Sequence, residues 1–392
     1  ELLEHGVGFT GPGTVQQGRF PQVGGIQFSY DPAQPGRLAA RGAPILPCPG
    51  CRGRQRRELR DHLPMSRPLK FAANAVFAIV VLAGAAWTAT ALWFHLAGLP
   101  LILGWALLAF AAGVAIYARA RQPLLGWVVV GLAALLTAGW YATIRPSDDR
   151  DWAPDVARGV KAQVAGDLVT LSDVRDFHWQ DPDHAEERWI TRTVDLNQIE
   201  TVDMLTSVWD NPEIAHLLVS FGFADGEHVV FSVEIRREAD ESFNEIGGFF
   251  RQFELVLIRA TEGDIVRLRT NHRKEEVRLY PIDLTPDQQR RLFLSYVTLA
   301  QDLAAAPRFY NTVTANCTTV VYGLAQVLNP SLPLDSSLIL SGRLPEYIEA
   351  QGVLAGEGSV GDRRAAALIT PKAQAAGEAA DFSEAIRRPS AP

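Results

Sequence analysis

Three apolar runs, Ala72–Leu96, Leu99–Tyr117 and Pro123–Ile144, limit this chain more than any other feature. Each is close to the roughly twenty residues that cross a bilayer as a helix. None contains Asp, Glu, Lys or Arg, and His95 is the one ionisable side chain at the end of the first. Trp87, Trp93, Trp140 and Tyr141 are spaced as interfacial anchors or span residues are. A buried helix of a soluble domain would be shorter. The sequence therefore predicts a three-helix membrane anchor over residues 67–145. Arg67 and Lys70 precede the first run, and Arg119 and Arg121 lie between the second and third. This bias predicts a cytoplasmic N-terminus and second loop, with everything after Arg145 on the outer side.

The anchor accounts for most of the apolar excess in an otherwise ordinary composition, 47% hydrophobic over 392 residues. The formal net charge of −7 argues against a general nucleic-acid binder. The cysteines are Cys48, Cys51 and Cys317. Cys48 and Cys51 form a lone CPGC without histidines at ligand spacing, which fits a linker better than a zinc site.

Residues 1–66 are Gly- and Pro-rich at first, without helical period, and then basic from Arg52 to Arg60. The run GRFPQVGGIQFSYDPAQPGR, Gly18–Arg37, resembles a fragment of the C-terminal domain of bacterial 5'-nucleotidases. It brings none of the metal-binding domain such an enzyme needs. The segment is read as a non-native or disordered extension, with Met65 as a natural start and a cytoplasmic tail as the alternative.

Residues 146–354 read as a mixed α+β external domain. Strand-like composition marks Arg188–Leu196, His216–Phe223, His228–Arg237, Phe253–Ala260 and Glu276–Ile282; helical spacing marks Pro286–Ala305 and Cys317–Leu328. In the hairpin at 216–237, Leu217, Val219, Phe221 and Phe223 must share a core with Val229, Phe231, Val233 and Ile235. Since a one-residue slip would turn one set to solvent, the loop must be odd, Ala224-Asp225-Gly226 with Gly226 left-handed. That register sets His216 opposite Glu234, with Ser220, Ser232 and His228 on the same polar face. After Leu354, residues 355–392 are Ala-, Gly- and charge-rich and read as a disordered tail.

In FYNTVTANCTTVVYGLAQVL, Phe309–Leu328, a cysteine stands where an irregular segment becomes an apolar-periodic helix capped by Thr314 or Asn316. Unpaired N–H groups and the helix dipole there favour thiolate. Cys317 reads either as a nucleophile or as a small apolar residue packed at a helix start. An unpaired thiol in an exported domain favours the nucleophile. His216 with Glu234 could supply base and orienting group, although a strand histidine paired with a carboxylate is also an ordinary surface feature. His178, His184, His228 and His272 compete as bases, and the segment DFHWQDPDH could instead be a loose metal site. Arg236, Arg237, Arg251, Arg259, Arg267, Arg269 and Arg273 read as a solvated charged surface or as contacts for an anionic lipid headgroup.

The runs IAHLLVSFGF, FSVEIRRE, FFRQFELVLIRA, IVRLRTN and FYNTVTANCTT, in this order from about Val194 to Leu354, resemble the Lnb N-terminal periplasmic domain family. The resemblance implies a circularly permuted papain-like thiol fold with histidine before cysteine. Its namesake enzymes are lipoprotein N-acyltransferases that work through a thioester. Carried over, Cys317 is the nucleophile, His216 the base and Glu234 the third member, with Asn316, Thr318 and Arg236 as candidate substrate or oxyanion contacts. Here the membrane spans stand where the namesakes have a signal peptide. The expected function is a bacterial inner-membrane cysteine acyltransferase or hydrolase facing the periplasm, without a cofactor, acting on phospholipid and a lipoprotein or peptide. A cell-wall amidopeptidase of the same thiol class and a non-catalytic envelope binding module are the alternatives.

Overall fold

The computed structural model describes residues 67–389, so the expectations for residues 1–66 lie outside the described residues. The three apolar runs form α1 (Arg67–His95), α2 (Gly98–Arg121) and α3 (Pro123–Tyr141), each long and apolar enough to cross a membrane. Phe77, Val81 and Ala115 pack between them, while most of their Leu, Ile and Val side chains remain exposed, as suits helices solvated by lipid.

The rest of the chain is an α+β domain around one eight-stranded sheet. Its strands are β1 (Lys161–Ala165), β2 (Leu168–Arg175), β5 (Trp189–Asp195), β6 (Ile199–Val208), β7 (His216–Phe223), β8 (His228–Arg236), β9 (Glu254–Ala260) and β10 (Glu276–Pro281); β3 (His178–Trp179) and β4 (Ala185–Glu186) pair separately. The order is β1-β2-β9-β8-β7-β6-β10, with β5 also on β2. The pairs are antiparallel except for the parallel contact of β2 with β9. The hairpin register is the one required by its hydrophobic alternation: Leu218 faces Ser232, Gly222 faces His228, and Gly226 turns the chain at φ +84°.

Period-two alternation divides the sheet into two unlike faces. One carries Val219, Phe221, Phe223, Val229, Phe231 and Val233, and is covered by α5 (Pro286–Ala305). Thr285 caps α5 in a capping box with Gln288, and Leu292, Phe293, Tyr296, Val297 and Ala300 recur at helical spacing on its buried side. Phe231 stacks on Tyr296 at 4.8 Å, and Phe221 meets Phe293 edge-on at 5.1 Å. Beside α5 lies α6 (Cys317–Ala325).

The opposite face carries Leu205, Leu218, Val230, Val256 and Ile258. It is covered by α4 (Glu262–Arg267), by the π-helical turn Leu268–His272 that continues it, and by the C-terminal segment. Here composition misleads. Residues after Leu354 form α8 (Val360–Ala366), α9 (Thr370–Ala376) and α10 (Phe382–Arg387), following α7 (Leu344–Ala350). Ile369, Ala373, Phe382 and Ile386 are buried against the sheet. Leu279 and Ile369 donate to the carbonyls of Ala367 and Val277, so the segment also covers the β10 edge. Small side chains lower the hydropathy of this segment but allow short helices to approach the sheet closely. The face read as polar and exposed is likewise buried, with Ser220 at 0% and Ser232 at 1% exposure.

Candidate active site

The site lies where β7 begins and β8 ends. Ser341 grips the residue before β7 from both sides, donating to the Ala215 carbonyl at 2.6 Å and accepting from the Ala215 amide at 2.8 Å. This fixes the height of His216, which opens the strand with 12% of its side chain exposed. Its Nε2–H donates to the Ser232 hydroxyl at 2.8 Å and lies 3.1 Å from Glu234 Oε1. Ser232 passes its own hydrogen to that carboxylate oxygen at 2.6 Å, and Arg269 Nη2 donates to it at 3.0 Å. Alternation along β8 presents Ser232 and Glu234 on one face, and antiparallel pairing brings that face to His216.

The Cys317 thiol interacts with the same ring and helps to keep it charged. Cys317 is the first residue of α6. Asn316 caps the helix, its Oδ1 accepting from the Thr318 and Thr319 amides at 2.9 and 2.8 Å, while Nδ2 holds the Thr312 carbonyl at 2.8 Å. The Cys317 amide is not among those Asn316 occupies. The Leu217 backbone N–H also favours the thiolate.

These contacts set the charge states. Burial pushes the His216 ring down, but the Glu234 carboxylate and the thiol outweigh it and raise the ring to about 9. Burial alone would raise Cys317; hydrogen bonding to His216, the imidazolium charge and the Leu217 amide bring it below the ordinary thiol value. Glu234 is held well below the carboxylate range because His216, Arg269 and Ser232 together overcome its burial. Near neutrality this geometry favours thiolate beside imidazolium. Burial, with the charges of Cys317 and Glu234, raises the neighbouring Tyr310 phenol.

Beside the thiol is an apolar cavity of about 270 Å³ whose lining includes Leu217, Thr318, Val321, Leu292 and Tyr347. Leu217 and Thr318, which line it, are the chain neighbours of His216 and Cys317.

The structure thus brings Cys317, His216 and Glu234 together and treats the remaining candidates differently. Asn316 spends both ends of its amide locally, and Thr318, at 3% exposure, lies 3.8 Å from Cys317 Sγ and lines the cavity. Arg236 is elsewhere: it donates to the Val156 and Ala157 carbonyls, pairs with Asp148 and covers the Trp152 ring, fastening the incoming chain to the sheet. Nor do most of the arginines make a charged surface, although Arg273 is exposed. Arg236, Arg259, Arg267 and Arg269 are buried, and Arg259 pairs with Glu227 and Arg267 with Glu378. Arg259, in register with Phe231, even lies on the opposite face of the sheet from Arg269 and Glu234, so spacing on a line of sequence did not imply a common exposed face. His184 pairs with the exposed Asp181, and His228 lies 3.6 Å from Glu262 on the Ser220 side of the hairpin, away from the thiol. Among the described residues no group of three or more His, Cys, Asp or Glu could hold a metal ion.

Sequence reasoning missed Arg269, which also donates to Glu275 at 3.4 Å, itself accepting from Ser207. It also missed the Leu217 amide. Arg269 sits in the π-helical turn, 35 residues after Glu234, and only folding brings it under β8.

Residues 185–346 match the Lnb N-terminal periplasmic domain family. The match contains His216, Ser232, Glu234, Arg269 and Cys317, and ends inside α7; β1, β2 and the helices α8–α10 lie outside it. No curated protein and no solved structure matches the chain. An Lnb-type periplasmic domain preceded by three helices able to cross a membrane makes this a membrane-associated protein of the inner membrane and periplasm.

Proposed function

We propose that the protein is a membrane-anchored periplasmic cysteine acyltransferase or hydrolase that works through a thioester. The observation that carries this reading is the Cys317–His216–Glu234 chain next to an apolar cavity. His216 keeps Cys317 as thiolate, Ser232 and Glu234 keep the ring oriented and charged, and Arg269 keeps Glu234 ionised. The thiolate attacks an acyl carbonyl, and the Cys317 amide at the start of α6 supports the oxyanion. As the tetrahedral adduct collapses, the carbon–oxygen or carbon–nitrogen bond breaks, and His216 gives its proton to the departing group. An amine or water then attacks the thioester; His216 takes its proton and the thiolate leaves.

The cavity suits an acyl chain better than a peptide, which favours a lipid-derived donor over a cell-wall peptide. Order of residues, histidine before cysteine, agrees with a permuted papain-like arrangement, and the family resemblance brings lipoprotein N-acylation as the specific case. The basic residues around α1 and between α2 and α3 support a cytoplasmic N-terminus.

Incubating the full chain with phospholipid, followed by intact mass, tests the reading: the expected result is one acyl adduct on wild type and none on Cys317→Ser. Cleavage of peptidoglycan without an adduct would replace it with the amidopeptidase. A folded Cys317 unreactive toward iodoacetamide and toward every lipid would leave a binding module.

A further inference from the structure

A ten-residue loop ties the membrane helices to the segment that bears Cys317. Within it, Phe250 stacks on Phe94 at 5.7 Å and lies 5.7 Å from Trp87, and the His95 ring donates to the Phe250 carbonyl at 2.6 Å. The next residue, Arg251, donates to the Tyr141 carbonyl at 3.1 Å and lies 4.6 Å from the centre of the Tyr141 ring. These partners are the C-terminal ends of α1 and α3, the end marked by Trp87, Phe94, Trp140 and Tyr141. The loop Glu241–Phe250 is therefore held level with an aromatic belt.

From that level three large apolar side chains point away from the domain: Phe243, Ile246 and Phe249 are 51%, 58% and 48% exposed. Val313, on the adjoining segment, is exposed as well. Such a cluster on a short loop is not the scatter of single apolar residues that any surface carries. Gly247 and Gly248 allow the loop to fold back; a side chain at Gly248 would run into the Thr312 hydroxyl.

We propose that Phe243, Ile246 and Phe249 dip into the lipid surface at this end of the helices and thereby hold Cys317 at the bilayer boundary. Contact with the belt favours lipid over a protein partner, since Phe250 and Arg251 pack directly on the ends of α1 and α3. The link to the thiol is covalent and hydrogen-bonded. Thr312 Oγ1 donates to the Glu245 carbonyl at 2.8 Å, Asn311 Nδ2 to the Gly248 carbonyl at 3.3 Å, and Asn316, the cap of the Cys317 helix, holds Thr312. The depth of the loop sets the height of the site. Because the loop contains Glu241 and Glu245 and no Lys or Arg, its insertion is apolar and independent of anionic lipid.

The test uses the full chain in phosphatidylcholine vesicles, with Cys48, Cys51 and Cys317 replaced by Ser, and needs no enzymatic activity. An environment-sensitive fluorophore is placed on Ile246→Cys, with Leu168→Cys as the reference. Leu168 is 48% exposed, and its neighbour Asp167 pairs with Arg290 near the start of α5, the end remote from Phe309. The expected result is that the label at 246 is quenched severalfold more by nitroxide lipids than by aqueous iodide, and the label at 168 by iodide alone. Iodide access at 246 equal to that at 168 would overturn the proposal. So would shielding from both quenchers, which would show a protein covering the patch, or insertion only when anionic lipid is present.

Discussion

The two faces of the central sheet are stabilised in different ways. Under α5 the layer is aromatic, with Phe221, Phe231, Phe293 and Tyr296 in contact. Under α4, α9 and α10 the apolar side chains alternate with buried charges: Arg175 with Asp264 at 2.8 Å, Arg387 with Asp203 and Glu262 at 2.7 Å each, and Arg269 with Glu234. The site draws on both. Cys317 arrives on a helix that packs with the aromatic layer, and His216, Ser232 and Glu234 belong to the charged face. An apolar layer gives position and a cavity. A charged layer gives a fixed ionisation state.

The sharpest way to separate these contributions is to remove the thiol or the imidazole of the proposed catalytic pair. Cys317→Ala should abolish acyl capture while leaving thermal unfolding unchanged, and His216→Ala should slow capture by ~10²–10⁴, the usual range for a general base. Equal loss of structure in either variant would mean that the pair is packing. On the aromatic face, Phe231→Ala should cost about 3–5 kcal/mol in chemical denaturation at any pH. Arg387→Ala on the charged face should cost about 3 kcal/mol near neutrality, because Asp203 and Glu262 are left buried without a partner. Unlike the aromatic deficit, that loss should shrink as pH falls and the two carboxylates take up protons. A pH-independent deficit for both variants would erase the distinction between the faces.

The charge state of the site gives a finer test. The raised His216 value contributes stability that is complete below the ordinary imidazole range and is lost as pH rises through about 9. The lowered Cys317 value contributes in the opposite sense, present above the ordinary thiol range and lost as pH falls through the depressed value. Acyl capture should thus plateau between the two and decline above about 9. Glu234→Gln should bring the alkaline decline toward neutrality with a loss of ~10-fold, whereas Arg236→Met should affect stability and leave the profile in place. The smallest effect belongs to the hairpin that aligns the pair. Gly226→Ala, forced to a positive φ, should cost about 1 kcal/mol without moving the pH profile.

How the site could be read in advance follows from the range of the forces involved. Apolar alternation in 216–237 specified a loop of three residues and set His216 across from Glu234, because the pleat repeats every two residues and tolerates no slip. Helical spacing and a capping residue located Pro286–Ala305 and the Cys317 helix. The three spans were equally plain, since a bilayer demands unbroken apolar length. Less periodic segments were not legible: β1, β2 and β6 carry polar residues such as Gln163, Thr170, Glu200 and Asp203 amid their apolar ones.

Local pattern therefore determined the strongly periodic helices and strands, the three runs long and apolar enough to span a bilayer, and that a thiol and an imidazole were available. Tertiary structure alone decided that the Ala- and Gly-rich end is a folded layer, and that Arg269 belongs under Glu234 and Arg236 does not. The reason is physical. Periodicity records which face of an element is buried, whereas the partner of a buried charge is chosen by whatever packs across that face, at any distance along the chain.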